Sequence, residues 1–252
     1  MSNYKISLFV IIPIVVLAMV VYGILFAFGI ILAYLLTLAV MAFVIQSNFY
    51  LKSINRATTQ KQSIVFSFDD GPAESTPLLL DILKAYNAKA IFFCIGSKIK
   101  GNELVLQRMV DEGHIVANHS FSHSAWFDFY SSEKIELELR ETNELLFKAT
   151  GKRSKLFRPP YGVTNPMIAG AVKRLGLQSI GWSKRSLDTV LSDTQKILNR
   201  ISKNIKPGDI VLMHDTAPNC PEVLKKYLEY IETKGYKAER LDKIIKIDCY
   251  ED

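Results

Sequence analysis

The sequence predicts an α/β domain of parallel strands with helices outside, curled into a barrel or partial barrel, behind an N-terminal transmembrane hairpin. Three observations predict it. No charged residue occurs from Ser7 to Ile45, strand-like and helix-like segments alternate beyond Ser63, and the polar residues suited to chemistry follow the strand-like segments.

The apolar run is the strongest of these signals. Hydrophobic residues make up 49% of the 252-residue chain, and the mean hydropathy is +0.14. The excess sits at the N-terminus, where Lys5 is the only Lys, Arg, Asp or Glu before Lys52. One membrane-spanning helix needs about 20 residues, and this run is about twice that. A signal peptide has an apolar region of only about 7–15 residues, so it fits poorly. Two spans, Ser7–Leu25 and Gly29–Gln46, fit a tight hairpin. Its turn falls at Tyr22-Gly23 or Phe28-Gly29, where glycine relaxes the helix. Residues 1–46 are therefore expected to form a membrane anchor, 47–62 a polar linker, and 63–252 the folded domain. The lipid bilayer is one expected partner.

The remaining composition excludes more than it suggests. A formal net charge of +6 allows an anionic partner. No basic cluster is interleaved with aromatics, so no nucleic-acid partner is expected. Cys94, Cys220 and Cys249 have no motif spacing, which argues against a disulfide framework or a zinc knuckle. Nothing points to an obligate protein partner.

Ser63–Phe68 reads as a buried strand, and Thr76–Tyr86 as a helix with Leu78, Leu79, Ile82 and Leu83 on one face. Ala90–Ile95 and His114–Asn118 are the next strands, separated by a helix over Glu103–Glu112. Glu133–Thr150 is a long amphipathic helix stopped by Gly151. The short strand Leu156-Phe157 precedes a Pro-rich turn, the helix Pro166–Leu175, the strand Gln178–Trp182 and the helix Asp193–Ile205. Pro207-Gly208 introduces the strand Asp209–Met213; the helix Glu222–Lys234 and an edge strand Tyr236–Arg240 follow. Repeated strand–helix units imply parallel strands, in a barrel or partial barrel rather than an open doubly wound sheet.

Chemistry-bearing residues follow the strands. Asp69 and Asp70 end the first strand; adjacent carboxylates are costly without cationic compensation, although an acidic loop pair is the bland reading. His119 and His123 stand at i and i+4, which on a helical turn lets both imidazoles reach one metal. Alone, such a pair is as readily solvated or structural. Two His and one Asp supply three ligands and leave one position open, the pattern of a catalytic zinc. Arg158-Pro159-Pro160-Tyr161-Gly162 is a rigid turn that fixes the Arg158 side chain and the Tyr161 amide. Trp182, Asp188 and Leu212-Met213-His214 come from the later strands; His214 alone reads as a satisfied core residue. His114 is assigned a structural place.

Taken together, these segments resemble the NodB-homology polysaccharide deacetylases, also called carbohydrate esterase family four, over about residues 63–245. The resemblance implies a distorted, incomplete (β/α) barrel and a hydrolase that removes N-acetyl groups from an acetylated glycan. It makes Asp69 the catalytic base, Asp70, His119 and His123 the ligands of one divalent ion, and Arg158 the partner orienting Asp69. The ion is expected to be Zn²⁺, with Co²⁺, Ni²⁺ or Mn²⁺ as other candidates. The Tyr161 amide, after Pro160, would meet the oxyanion; Leu212 would line the acetyl pocket; His214 would be the general acid, held by Asp188. Ser67 replaces the usual Thr of the first motif. The fourth motif, usually Asp-x-x-Asp-Trp, here reads Arg185-Ser186-Leu187-Asp188-Thr189, which puts the pocket wall in doubt and leaves Trp182 as a substitute apolar surface.

Other readings share these residues. They include an O-acetyl glycan esterase, an amidohydrolase acting on a non-sugar amide, and an inactive glycan-binding membrane protein. Peptidoglycan, chitin-like and lipid-linked glycans all fit as substrates. The expected location is integral to a bacterial cell membrane. The positive-inside rule places both ends of the hairpin in the cytoplasm, whereas a deacetylase of finished wall polymer must face outward.

Overall fold

The computed structural model describes residues 2–251. Helices α1 (Asn3–Tyr22) and α2 (Ile24–Ala42) form an antiparallel hairpin, joined by the Ser7 Oγ–Tyr34 Oη contact of 2.8 Å. The break lies at Gly23, whose φ of 89° suits glycine, so the turn is the Tyr22-Gly23 alternative. Phe28-Gly29 is inside α2, and the second span ends at Ala42, short of the expected Gln46. Both helices are long and apolar enough to cross a membrane. Ala18 and Ala27 are their only buried residues among those described, so their large apolar side chains face outward.

The stretch expected to be a linker is packed. Strand β1 (Ser53–Ile54) pairs with a later strand, and Ile45, Tyr50, Leu51 and Ala57 are buried. Arg56 bridges to the fully buried Asp209 at 2.7 Å. Tyr50, Leu51 and Ala57 were hidden in a polar composition, whereas Ile45 ends the apolar run.

The domain then runs β2 (Ser63–Gly71), α3 (Thr76–Ala85), β3 (Ala90–Cys94), α4 (Glu103–Asp111), β4 (Ile115–Asn118) and α5 (Ser132–Thr150). It continues with β5 (Leu156–Phe157), α6 (Pro166–Arg174), β6 (Gln178–Ile180), β7 (Lys184–Arg185) and α7 (Thr194–Ser202). Strand β8 (Ile210–His214), α8 (Cys220–Thr233), β9 (Lys237–Ala238) and α9 (Leu241–Ile244) complete it. Local chemistry sets several ends: Ser131, Asn165 and Asp193 cap α5, α6 and α7, and Gly151 in the left-handed region stops α5.

The sheet order is β1-β6-β5-β4-β3-β2-β8-β7, with β9 paired to β2 off this path. Each pairing of named strands is parallel. The sheet curls into a half-barrel that does not close, as expected of an incomplete (β/α) barrel. Strand alternation sorts the side chains. Ile64, Phe66 and Phe68 pack under the helices with Phe92, Val211 and Met213, while Val65, Ile91, Phe93 and Ile210 fill the inner face. By the same alternation Ser67 and Asp69 share the inner face with Val65, and Leu212 and His214 share it with Ile210. Each fully buried Phe contributes about 1.5–3 kcal/mol. Two details differ from expectation. Helix α3 buries Leu79, Leu80 and Leu83 while Leu78 is exposed, and the last strand shrinks to Lys237–Ala238 in a pairing with β2.

Candidate active site

The C-terminal ends of the strands converge on a cleft of about 270 Å³. Asp69, Asp70, His119, His123, Tyr161, Trp182, Leu212 and His214 all line it, together with Gly162, Arg185 and Thr189. Arg158, Pro160 and Asp188 lie buried behind this surface.

Adjacent carboxylates part company at the end of β2. The register shifts between Asp69 and Gly71, and Asp70 takes φ 72°, so the two side chains meet different partners. Asp69 Oδ1 accepts from Arg158 Nη1 at 2.7 Å. Arg158 is fully buried and every other contact holds it in place. Its Nε donates to Ile180 O at 3.0 Å, Nη2 to Gly181 O at 2.7 Å, and Nη1 also to Ser67 Oγ at 2.9 Å. Ser67 Oγ donates in turn to Val211 O at 2.9 Å. The Thr-to-Ser departure therefore keeps the hydroxyl that matters here. Burial lowers the Arg158 pKa, and Asp69 counters it.

Asp70 Oδ1 lies 3.5 Å from His119 Nε2 and 3.2 Å from His123 Nε2. The histidines were expected on one face of a helical turn; they come instead from an irregular loop. Ser120 and His123 adopt positive φ, and Glu138 of α5 accepts the Phe121 and Ser122 amides and the Ser122 hydroxyl. This buried carboxylate folds the loop back so that the two rings stand 4.8 Å apart. His119 Nδ1 meets Arg158 O at 2.8 Å, which makes it the donor and turns the Nε2 lone pair toward Asp70.

The ligand-type atoms of Asp70, His119 and His123 all lie within 4.8 Å of one another. Two imidazoles and one carboxylate, with the Arg158 carbonyl fixing one tautomer, suit a divalent metal ion. Burial alone would raise the Asp70 pKa, yet the His119 hydrogen bond and the charges of His119, His123 and His214 hold it well below the usual carboxylate range. Burial, then the neighbouring His119, push His123 down to about 4. Carboxylate and neutral imidazole are the ligating forms.

Opposite stands a second polar pair. Asp188 Oδ1 accepts from His214 Nδ1 at 2.8 Å and Oδ2 from the His214 amide at 2.8 Å, while Ser186 Oγ also donates to Oδ1 at 2.7 Å. Burial works against the His214 imidazolium, but Asp188 and the charge of Asp69 outweigh it and raise the pKa overall.

Trp182 closes the apolar wall. It packs with Leu212 and with Ile45, and Gln46 Nε2 donates to its carbonyl at 3.1 Å. A Cβ at Gly162 would overlap the Trp182 ring. Tyr161, at φ 58° after two prolines, sets its ring 4.7 Å from His123, and no hydrogen bond among the described residues uses its backbone N–H. Sequence reasoning missed Ile45 and Glu138. A buried carboxylate on an amphipathic helix was the only signal for Glu138, and Ile45 gave none because it continues the apolar run. His114 is buried, its Nδ1 accepts from the Ala90 amide at 3.2 Å, and burial pushes it down to about 3, a structural place.

A chain curled this way, with this set of polar side chains at its strand ends, is matched by the family model for polysaccharide deacetylase over residues 56–180. The peptidoglycan-N-acetylmuramic acid deacetylase PdaA of Bacillus subtilis is 32% identical over 202 residues, 78% of this chain and 74% of that protein. The chain belongs to the polysaccharide deacetylase family. A peptidoglycan-N-acetylglucosamine deacetylase of Bacillus cereus is 32% identical over 189 residues, 73% of this chain and 88% of that one. The crystal structure of a peptidoglycan N-acetylglucosamine deacetylase bound to an N-hydroxybenzamide superposes with a TM-score of 0.74 at 26% identity, covering 79% of this chain and 95% of that one. Polysaccharide deacetylases of this fold are metal-dependent hydrolases, and the Asp70–His119–His123 cluster lies within such a cleft here.

Proposed function

We propose that this protein hydrolyses the N-acetyl group of an amino sugar in a peptidoglycan-type glycan, with Asp69 as base and His214 as acid. The observation that carries the reading is the placement of two buried dyads, Arg158–Asp69 and Asp188–His214, around one Asp–His–His cluster. A divalent ion held by Asp70, His119 and His123 would supply Lewis acidity, lowering the pKa of water and polarising the acetyl carbonyl.

The chain's own residues then divide the proton work. Asp69, kept as an oriented carboxylate by Arg158, takes the proton of the attacking water. The Tyr161 N–H is available to the developing oxyanion, a donor role worth about 10²–10³ in rate. His214, charged through Asp188, protonates the sugar nitrogen as the C–N bond breaks; acetate and a free amine result. Leu212 and Trp182, backed by the buried Ile45, form the apolar wall for the acetyl methyl. The names of the two relatives above, both peptidoglycan amino-sugar deacetylases, support that glycan class, and a further relative is a chitooligosaccharide deacetylase.

The test is acetate release by the purified full-length protein from N-acetylated and O-acetylated glycans of defined structure. Release from the N-acetylated set is expected. Release from O-acetylated glycans alone would replace the amide with an ester.

The two apolar helices are the proposed bilayer anchor in a bacterial cell membrane, with both ends on one side and, by the positive-inside rule, in the cytoplasm. That orientation favours a lipid-linked precursor. Reporter fusions at the C-terminus test it: a signal only from an externally active reporter would move the domain outside and make finished wall polymer the substrate.

A further inference from the structure

The fourth motif leaves an arginine at the mouth of the cleft. Arg185 sits in β7, in register with Leu212 of β8, and its guanidinium carbon lies 5.7 Å from the Trp182 ring centroid. It therefore lines the same cleft as Asp69 and His214.

Its surroundings set it apart from most other arginines of the chain. Among the described residues, Arg56, Arg108, Arg140, Arg153, Arg158, Arg174 and Arg240 each meet a carboxylate within ion-pair range. The remaining two, Arg185 and Arg200, meet none, and they are neighbours: Arg200 Nε donates to Arg185 O at 2.8 Å. Both line a second concavity of about 580 Å³ that adjoins the cleft through Arg185. Lys184, Lys196 and Lys203 complete its cationic lining, and no acidic side chain lines it. The nearest carboxylates are already committed or peripheral. Asp209 lies 4.0 Å from Lys184 but is held by Arg56, and the half-exposed Asp193 lies 4.0 Å from Lys196.

Five cations with so little counter-charge repel one another and leave a positive field beside the cleft. A guanidinium offers a planar fork that matches a carboxylate or phosphate. We infer that the acetylated substrate carries an anionic group close to the reacting acetamide, and that Arg185 receives it, with the adjoining basic concavity accommodating further negative charge along the glycan. This rests on the deacetylase reading and adds the charge class of the substrate. The anion can be the carboxylate of a lactyl-substituted amino sugar or the phosphate of a glycosyl phosphate.

The experiment measures kcat and KM of the metal-loaded full-length protein on matched acetylated oligosaccharides. One carries the lactyl carboxylate, one has that carboxyl reduced to the alcohol, and one carries a 1-phosphate on a neutral sugar. The wild type is expected to prefer an anionic member over the neutral one by about tenfold in kcat/KM, the scale of one charge-assisted bond. The better anion identifies the source. Arg185→Ala should bring that ratio close to one, mainly through KM, and Arg185→Lys should hold an intermediate value because a point charge replaces the fork. Binding of the already deacetylated anionic sugar, measured by calorimetry, should weaken about tenfold in Arg185→Ala. A wild type without anion preference, or an Arg185→Ala with the wild-type ratio and affinity, would overturn the inference while acetate release leaves the deacetylase reading intact. If no glycan releases acetate, the deacetylase reading falls, and calorimetry alone then decides whether Arg185 holds an anion.

Discussion

Asp188→Asn removes one charge and changes one atom, and the structure says why that is severe. Both oxygens of Asp188 receive only donors: Oδ1 meets His214 Nδ1 and Ser186 Oγ, and Oδ2 meets the His214 amide. An asparagine has one accepting oxygen and one donating nitrogen. If its nitrogen takes the Oδ2 place, it faces the His214 N–H donor to donor, at a cost of about 1–3 kcal/mol for the lost buried bond. If it takes the Oδ1 place, Nδ1 must become an acceptor, and the charged ring loses a bond worth about 1.5–3 kcal/mol. Either arrangement lowers kcat by roughly fivefold to 150-fold. The pH profile follows from the same contact. His214 must be protonated to act, so activity falls as pH rises through its pKa, which Asp188 helps to raise. Removing that charge moves the alkaline limb to lower pH. The assay is acetate release across about pH 5–9, with bound metal measured in each sample. A variant with kcat within about twofold of wild type and an unmoved alkaline limb would refute this role of Asp188.

His123→Ala is expected to lose its divalent ion, since two remaining ligands hold zinc poorly, whereas Asp69→Asn keeps the ion and loses turnover; elemental analysis showing the reverse pattern would exchange the two carboxylates. Gly162→Ala combines positive φ with overlap onto Trp182, about 1–2 kcal/mol of backbone strain and about 1–3 kcal/mol of overpacking. A lowered Tm and a changed Trp near-ultraviolet signal are expected, and an unchanged melt would mean that the Trp182 ring does not lie against Gly162. Ile45→Ala, at a 1% exposed position, is expected to cost about 2–5 kcal/mol and to lower kcat/KM; a fragment 47–252 as active as one beginning at residue 43 would remove Ile45 from the wall.

Much of this protein was determined by the sequence alone. The uncharged run from Ser7 to Ile45 dictated two apolar helices, and Gly23 was one of two glycines where the chain was free to turn. The strands β2, β3, β4 and β8 were legible because apolar runs and turn residues are local signals, and the motif residues at their ends were named in order. The two-residue strands β1 and β7, Ser-Ile and Lys-Arg, are not apolar runs and were missed, whereas the equally short Leu-Phe of β5 was legible.

Only the tertiary structure decided which of these residues meet. The helical spacing of His119 and His123 was a coincidence of number, because Glu138 folds their segment into a loop that happens to converge the rings. Ser67 became an Arg158 partner 91 positions away, and Gln46 a Trp182 partner 136 positions away. Among the described residues, the fold likewise left Arg185 without a carboxylate while giving one to seven other arginines. Periodicity and turn chemistry act between neighbours in the chain, whereas the curl of the sheet sets distances between strand ends that no local pattern encodes.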